Sequence, residues 1–279
     1  MSEKAILVVS FGTSFPETRC KTIDAIESYI QHAHPRYAFY HAWTSRIIRQ
    51  KLLHRDGESI PDVTDAFRQM EKDGVKKVFV QPTHIIPGIE NTKMKEDAQK
   101  WSEKFNSISF GNPLFSSPMD YHAFLENITK EYSFLTNSEA LLFMGHGTEH
   151  EANSIYSDLD HAFQEAGYSN YYVGTVEGAT GMDSDVASVK GPDAASHEAT
   201  DLNRILSRLS EKNYQKIHLA PLMIVAGDHA INDMSGKHAD SWESILKEHG
   251  YHVECHIKGL GEYDFIQEML NAHLCDILS

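Results

Sequence analysis

The sequence predicts an α/β fold of two similar lobes, each with a mostly parallel sheet flanked by helices, and with a ligand cleft between them. Three observations carry this. Short β-branched runs alternate with segments of helical period along the chain, the pattern of βαβ units. The alternation starts over near residue 136, which divides the 279 residues into lobes 1–135 and 136–279. Gly12-Thr13 recurs as Gly147-Thr148, and Pro82 before His84-Ile85-Ile86-Pro87-Gly88 recurs as Pro221 before Met223-Ile224-Val225-Ala226-Gly227, at nearly the same separation. A duplicated unit with matched strand ends places its ligands where open α/β sheets hold them, outside the carboxyl ends of the strands.

In chain order, Ala5 to Ser10 is a first strand that breaks at Phe11-Gly12-Thr13-Ser14, and a helix follows over Glu17 to His32. Tyr37 to Trp43 reads as a strand, and Ser45 to Leu53 as a helix carrying Arg46, Arg49 and Lys51. An amphipathic helix over Asp62 to Asp73 ends at Gly74. The strand Lys77 to Gln81 leads into the polar turn around His84, and a helix follows from Asn91 to Phe105. Ile108 to Phe110 and Tyr121 to Tyr132 close the first lobe as strand and helix.

The second lobe opens with the strand Ala140 to Met144, which ends in Gly145-His146-Gly147, followed by a helix over Ala152 to Ala166 and a strand over Asn170 to Glu177. Residues 178–201, rich in Gly, Ala, Ser and Asp, lack periodicity and read as a long loop, either a flap over the cleft or a plain surface insertion. Ile217 to Val225 has the length and branching of a strand covered on both faces, with Pro221 inside it. It runs into Gly227-Asp228-His229 and Asn232-Asp233, a polar stretch that no core absorbs. Tyr251 to Ile257 and Phe265 to Leu278 are the last strand and helix.

A formal charge of −15 argues against nucleic acid and anionic membrane as partners, because both select a basic surface. It leaves room for an anionic small molecule held by a local cluster of cations. No apolar run approaches the roughly 18 residues of a membrane helix, and the start of the chain lacks the pattern of a signal peptide. Cys20, Cys255 and Cys275 have no metal-knuckle spacing and cannot all pair, so a cytoplasmic location is expected. Apolar helix faces suffice for a homo-oligomer without fixing a symmetry.

The polar groups at the expected strand ends are Ser10, His84, His146, Glu177 and His229, with Glu90, His150, Asp228 and Asp233 just beyond. Three imidazoles and a carboxylate at neighbouring strand ends form a metal constellation suited to borderline divalent ions such as cobalt, nickel, iron or zinc. Taken singly, each His has a competing reading as a helix cap or a satisfied core residue, and Asp228 reads equally well as an N-cap. Ser10, Phe11, Gly12, Thr13 and Ser14 match neither a nucleophile elbow nor a phosphate loop. Their backbone N–H groups can still face an anion, with Arg46, Arg49 and Lys51 as nearby cations.

Leu7-Val8-Val9-Ser10-Phe11-Gly12-Thr13-Ser14, Phe143-Met144-Gly145-His146-Gly147, Val176-Glu177, the run from Pro221 to Met234, Thr83-His84-Ile85-Ile86 and Gly259-Leu260-Gly261-Glu262 resemble the anaerobic sirohydrochlorin cobaltochelatases of the CbiK type. The resemblance spans nearly the whole chain in order. It implies the class II chelatase fold and metal insertion into a sirohydrochlorin-type tetrapyrrole. Cobalt is the expected divalent substrate, nickel and iron being the other candidates, and no organic cofactor is implied. By matched position it makes His146, Glu177 and His229 the metal ligands and His84 a base on the opposite lobe. The carboxylates of such a macrocycle would then call on the backbone N–H groups of the Ser10 to Ser14 loop and on local Lys or Arg. A metal or haem carrier without chemistry, and a zinc hydrolase, would use the same His and Glu set.

Overall fold

The structure is a computed structural model that describes residues 2–177 and 200–278. The chain folds as two compact units, Met1–Asn127 with Gly259–Ser279, and Ile128–Lys258. In the first, β1 (Lys4–Ser10), α1 (Pro16–Lys21), α2 (Ile23–Ala33), β2 (Ala38–Trp43), α3 (Arg46–Asp56), α4 (Val63–Lys72), β3 (Lys77–Pro82), α5 (Ile89–Gln99), β4 (Ser107–Phe110) and α6 (Pro118–Glu131) follow in order. In the second come β5 (Glu139–Gly145), α7 (Ser154–Glu165), β6 (Tyr171–Thr175), α8 (Thr200–Ser210), β7 (Lys216–Pro221), α9 (Trp242–Glu248) and β8 (His252–Cys255). The closing helix α10 (Asp264–Cys275) returns to the first unit.

Each unit holds one four-stranded parallel sheet, ordered β2-β1-β3-β4 and β6-β5-β7-β8. Parallel strands need crossovers, and the helices supply them while covering both faces. Hence β1 and β5 are buried almost end to end. In the first unit α4 and α5 bury Phe67, Met70 and Met94 against Leu7, Val9, Val78 and Val80. In the second, Ile205 and Leu209 of α8 and Trp242 of α9 do the same against Leu142, Met144, Ile217 and Leu219.

The register shows the duplication. Lys4 of β1 lies beside Lys77 of β3, and Glu139 of β5 beside Lys216 of β7. Lys77 in turn faces Ser107 of β4, as Lys216 faces His252 of β8. Residue by residue, β1 therefore corresponds to β5 and β3 to β7.

Several elements differ from the expectations above. Two consecutive lobes were expected at 1–135 and 136–279, but residues 259–279 join the first unit. There α10 packs on α2 and β3, and buried His273 bonds Asp120 at 2.9 Å. The helix expected over Glu17 to His32 breaks at Thr22, whose hydroxyl donates to the Thr18 carbonyl at 2.6 Å. The strand expected to Val225 stops at Pro221, as a residue with no N–H to give the ladder should make it. Of the loop expected over 178–201, Thr200 and Asp201 instead open α8, and residues 178–199 lie outside those described, so the flap falls there too.

Candidate metal centre

The second unit brings His146, Glu177 and His229 together at the carboxyl ends of three adjacent strands. His146 directly follows β5, Glu177 lies two residues past β6, and His229 comes eight residues after β7. One ligand atom from each side chain lies within 4.8 Å of the others. The two imidazoles meet edge to face, with centroids 4.5 Å apart, and His146 Nδ1 is 3.7 Å from Glu177 Oε2. His146 and Glu177 are exposed and His229 is half-buried, so an ion can reach the group from solvent.

Backbone geometry sets this arrangement. The Val176 N–H donates to the Gly145 carbonyl at 3.0 Å, and the Glu177 N–H to the His146 carbonyl at 2.7 Å, which extends the β5–β6 pairing past the strand ends. Gly147 has φ +83°, and a Cβ there would stand 1.7 Å from the Glu177 carbonyl oxygen, so only glycine allows the approach. Gly147→Ala is accordingly expected to push Glu177 away and weaken cobalt(II) binding by about tenfold or more, as losing the support of a ligand does. Calorimetry on the folded variant checks this, and unchanged affinity would show that the approach does not position the ligand.

Both imidazoles are held in the tautomer that binds metal. His146 Nδ1–H donates to the Gly147 carbonyl at 2.9 Å, and His229 Nδ1–H to Asp233 Oδ2 at 2.5 Å. A carbonyl and a carboxylate can only accept, so each ring keeps its Nε2 lone pair for a ligand. Asp233 reaches His229 from four residues on, the spacing that puts two side chains on one helical face, and residues Ala230–Met234 form a π-helical turn, a wider coil often found at functional sites. The Ser235 hydroxyl holds that turn by donating to the Ala230 carbonyl at 2.8 Å.

The first unit repeats the backbone without the ligands. The Thr44 N–H donates to the Ser10 carbonyl and the Ser45 N–H to the Phe11 carbonyl, the same pair of bonds that β5 and β6 make. Phe11 stands where the second unit has His146, and Ser45 where it has Glu177. With Gly88 matched to Gly227, Glu90 takes the place of His229. The scaffold thus needs none of these three residues.

Other expected residues fare differently. His150 takes the helix-cap reading, its Nδ1 accepting the Ala152 N–H at 3.1 Å. Asp228 accepts from the Asn232 amide at 3.1 Å, and Glu90 lies 3.4 Å from Lys93. In the loop at residues 10–14, Ser10, Thr13 and Ser14 are buried and Phe11 is exposed. The Ser10 hydroxyl accepts from Thr83 at 2.9 Å, and Thr13 Oγ1 accepts the Phe15 N–H at 3.3 Å. These hydroxyls serve the loop, leaving its backbone and the Phe11 ring to meet a ligand.

The cavity beside the loop, lined by Thr13, Ser14, Arg19, Asp24, Asp56 and Glu58 among others, is acidic, and its Arg19 is already paired with Asp24 and Glu58. It suits no carboxylate ligand. Arg49 is committed to Asp62 at 3.0 Å, and the Lys51 ammonium sits 6.0 Å from the centre of the Phe15 ring. The cation that bonds the loop is Arg55, which donates to the Ser14 carbonyl at 2.9 Å and is itself paired with Asp56 at 2.6 Å. Sequence reasoning missed it because it lies two residues past the expected end of its helix.

His84 follows β3, and its carbonyl accepts the Leu114 N–H at 2.9 Å. Its ring Nε2 is buried with no hydrogen-bond partner among the described residues, and burial pushes its pKa down to about 4. The imidazole is therefore neutral at physiological pH.

The cobalt chelatase (CbiK) family model matches residues 4–198 and 194–279. The sirohydrochlorin cobaltochelatase of Salmonella typhimurium is 34% identical over 277 residues, covering 99% of this chain and 97% of that protein. The sirohydrochlorin cobaltochelatase CbiKC of Nitratidesulfovibrio vulgaris is 27% identical over 285 residues, 100% of this chain and 92% of its own length. Among solved structures, SirB from Bacillus subtilis with Fe3+ superposes with a TM-score of 0.64 at 12% identity, covering 99% of this chain and 95% of that one, a likeness of fold.

Proposed function

The chain belongs to the cobalt chelatase (CbiK) family, and on that premise we propose that it inserts cobalt(II) into sirohydrochlorin in anaerobic cobalamin biosynthesis. The observation that carries the reading is the convergence of His146, Glu177 and His229, two imidazoles fixed in the metal-binding tautomer beside a carboxylate. Such a set holds a borderline divalent ion, strips part of its water, and leaves positions open for incoming ring nitrogens. The relatives' shared name favours catalysis over mere carriage of a metal or a ring.

Insertion also requires two pyrrole protons to leave. His84, neutral at physiological pH, is the acceptor we assign. The macrocycle's carboxylates need cations that a chain of −15 net charge supplies only locally. The exposed Arg46 and the backbone of residues 10–14 fill that role in this reading, with Phe11 as an apolar contact for the flat ring. The reaction transfers no electrons or groups, so it calls for no organic cofactor. A cytoplasmic location accords with the free cysteines Cys20, Cys255 and Cys275 and with the lack, among the described residues, of any helix long and apolar enough to cross a membrane.

Ultraviolet–visible spectroscopy of the purified protein with sirohydrochlorin and cobalt(II) tests the proposal. The expected result is conversion of the metal-free spectrum to that of the cobalt complex well above the protein-free rate. An equal rate with and without protein would overturn it.

A further inference from the structure

A second cluster of metal-binding side chains lies on the body of the β6-β5-β7-β8 sheet, away from the strand ends. We propose that His218, Glu254 and His256 form a second divalent-metal site, for a borderline ion such as zinc or cobalt(II), that clips edge strand β8 to β7. Their ligand atoms all lie within 4.8 Å of one another. His218 is paired in register with Leu141 on β5, five residues before His146, so at about 3.3 Å per residue the two groups stand roughly 15 Å apart and cannot share an ion.

Four features point to an ion. First, the chemistry suits one: two imidazoles and a carboxylate favour borderline metals, and burial lowers the pKa of both histidines, which keeps them in the neutral form a metal requires. Second, the spacing is close to right. His218 Nδ1 and His256 Nε2 are 2.8 Å apart, and two nitrogens about 2.1 Å from one ion stand roughly 3.0–3.4 Å apart, so each ring moves only a few tenths of an ångström.

Third, the proton between those nitrogens has somewhere to go. Among the described residues His218 Nε2 is buried without a hydrogen-bond partner, and it faces Glu139 Oε1 at 3.7 Å. With the proton of His218 on Nε2, turned toward that carboxylate, its Nδ1 is free. His256, 23% exposed, can carry its own proton on Nδ1. Both facing lone pairs then meet the ion, and Glu139 becomes the carboxylate behind a ligating His. Lys216 now pairs with Glu254 but also lies 4.0 Å from Glu139, so it can yield Glu254 and keep a partner.

Fourth, the fold does not need these residues. In the first unit Phe79 occupies the position of His218 and Ser109 that of Glu254. A histidine thus stands in a buried strand where the first unit has an apolar residue, and burying an imidazole there is costly unless the ring is put to use.

Calorimetry with zinc(II) alone tests the site. The full chain should bind two equivalents, and His146→Ala/His229→Ala should retain one. Adding His256→Ala, or His218→Phe to restore the residue of the first unit, should weaken that remaining site by tenfold or more. Zinc should also raise the unfolding midpoint of His146→Ala/His229→Ala, but not once His256→Ala is added. If the combined variants fail to fold, His256→Ala alone should take the stoichiometry from two to one. A single equivalent in the wild-type chain, or a second that survives both His256→Ala and His218→Phe, would overturn the proposal.

Discussion

Alanine at His146, Glu177 or His229 is expected to lower cobalt(II) affinity by about tenfold or more and to slow insertion with it. His229→Ala should be the most severe, because it also leaves Asp233 without the proton it accepts and loosens the π-helical turn around it. Asp233→Asn offers a finer test. The carboxamide can turn an N–H toward Nδ1 and favour the wrong tautomer, so affinity should fall although every ligand remains. Because the three side chains act on one ion, removing a second should cost less than the first, and a double-mutant cycle should read clearly non-additive. Calorimetry with cobalt(II) checks all of this, and unchanged affinity in any two of the single variants would dismiss a shared ion.

Most of the strands were legible because parallel strands buried on both faces are continuous apolar runs, and Ala5 to Ser10, Lys77 to Gln81 and Ala140 to Met144 are such runs. The return of α10 to the first unit was not, since it is decided by tertiary partners such as the Asp120–His273 pair that lie far apart in sequence. The helices α8 and α9 were passed over, one beside a stretch without periodicity and the other only seven residues long. At the site, strand-end position alone nominated His146, Glu177 and His229. It nominated His150 just as readily, and only hydrogen bonding shows that residue to be a cap. His218 and His256 went unnoticed for a related reason. They sit within and just beyond short strands, where alternating polarity looks like ordinary strand patterning, and it takes the register of β7 against β8 to bring His218 beside Glu254.

His84→Ala is expected to slow insertion by about 10² to 10⁴, the usual contribution of a general base, while leaving cobalt(II) affinity unchanged. The split separates acceptor from ligand: if affinity fell together with the rate, His84 would belong to the metal set. Added imidazole should restore part of the lost rate if the ring acts chemically, and none of it if the ring only packs. The pH dependence follows from burial. The folded pKa is near 4 against an ordinary 6.5, so the acceptor stays neutral across the physiological range and its loss by protonation should set in only as pH approaches about 4. Stability has the same sign but an earlier onset. Below about 6.5 the unfolded chain takes up a proton that folded His84 refuses, so the fold loses stability as pH drops from about 6.5 to about 4. His84→Gln cannot titrate and should flatten that part of the acid profile. Its neighbours in the window, His218 and His256, are also held neutral by burial and will keep the remaining slope. An insertion rate that His84→Gln leaves intact would remove the proton-acceptor role from this residue.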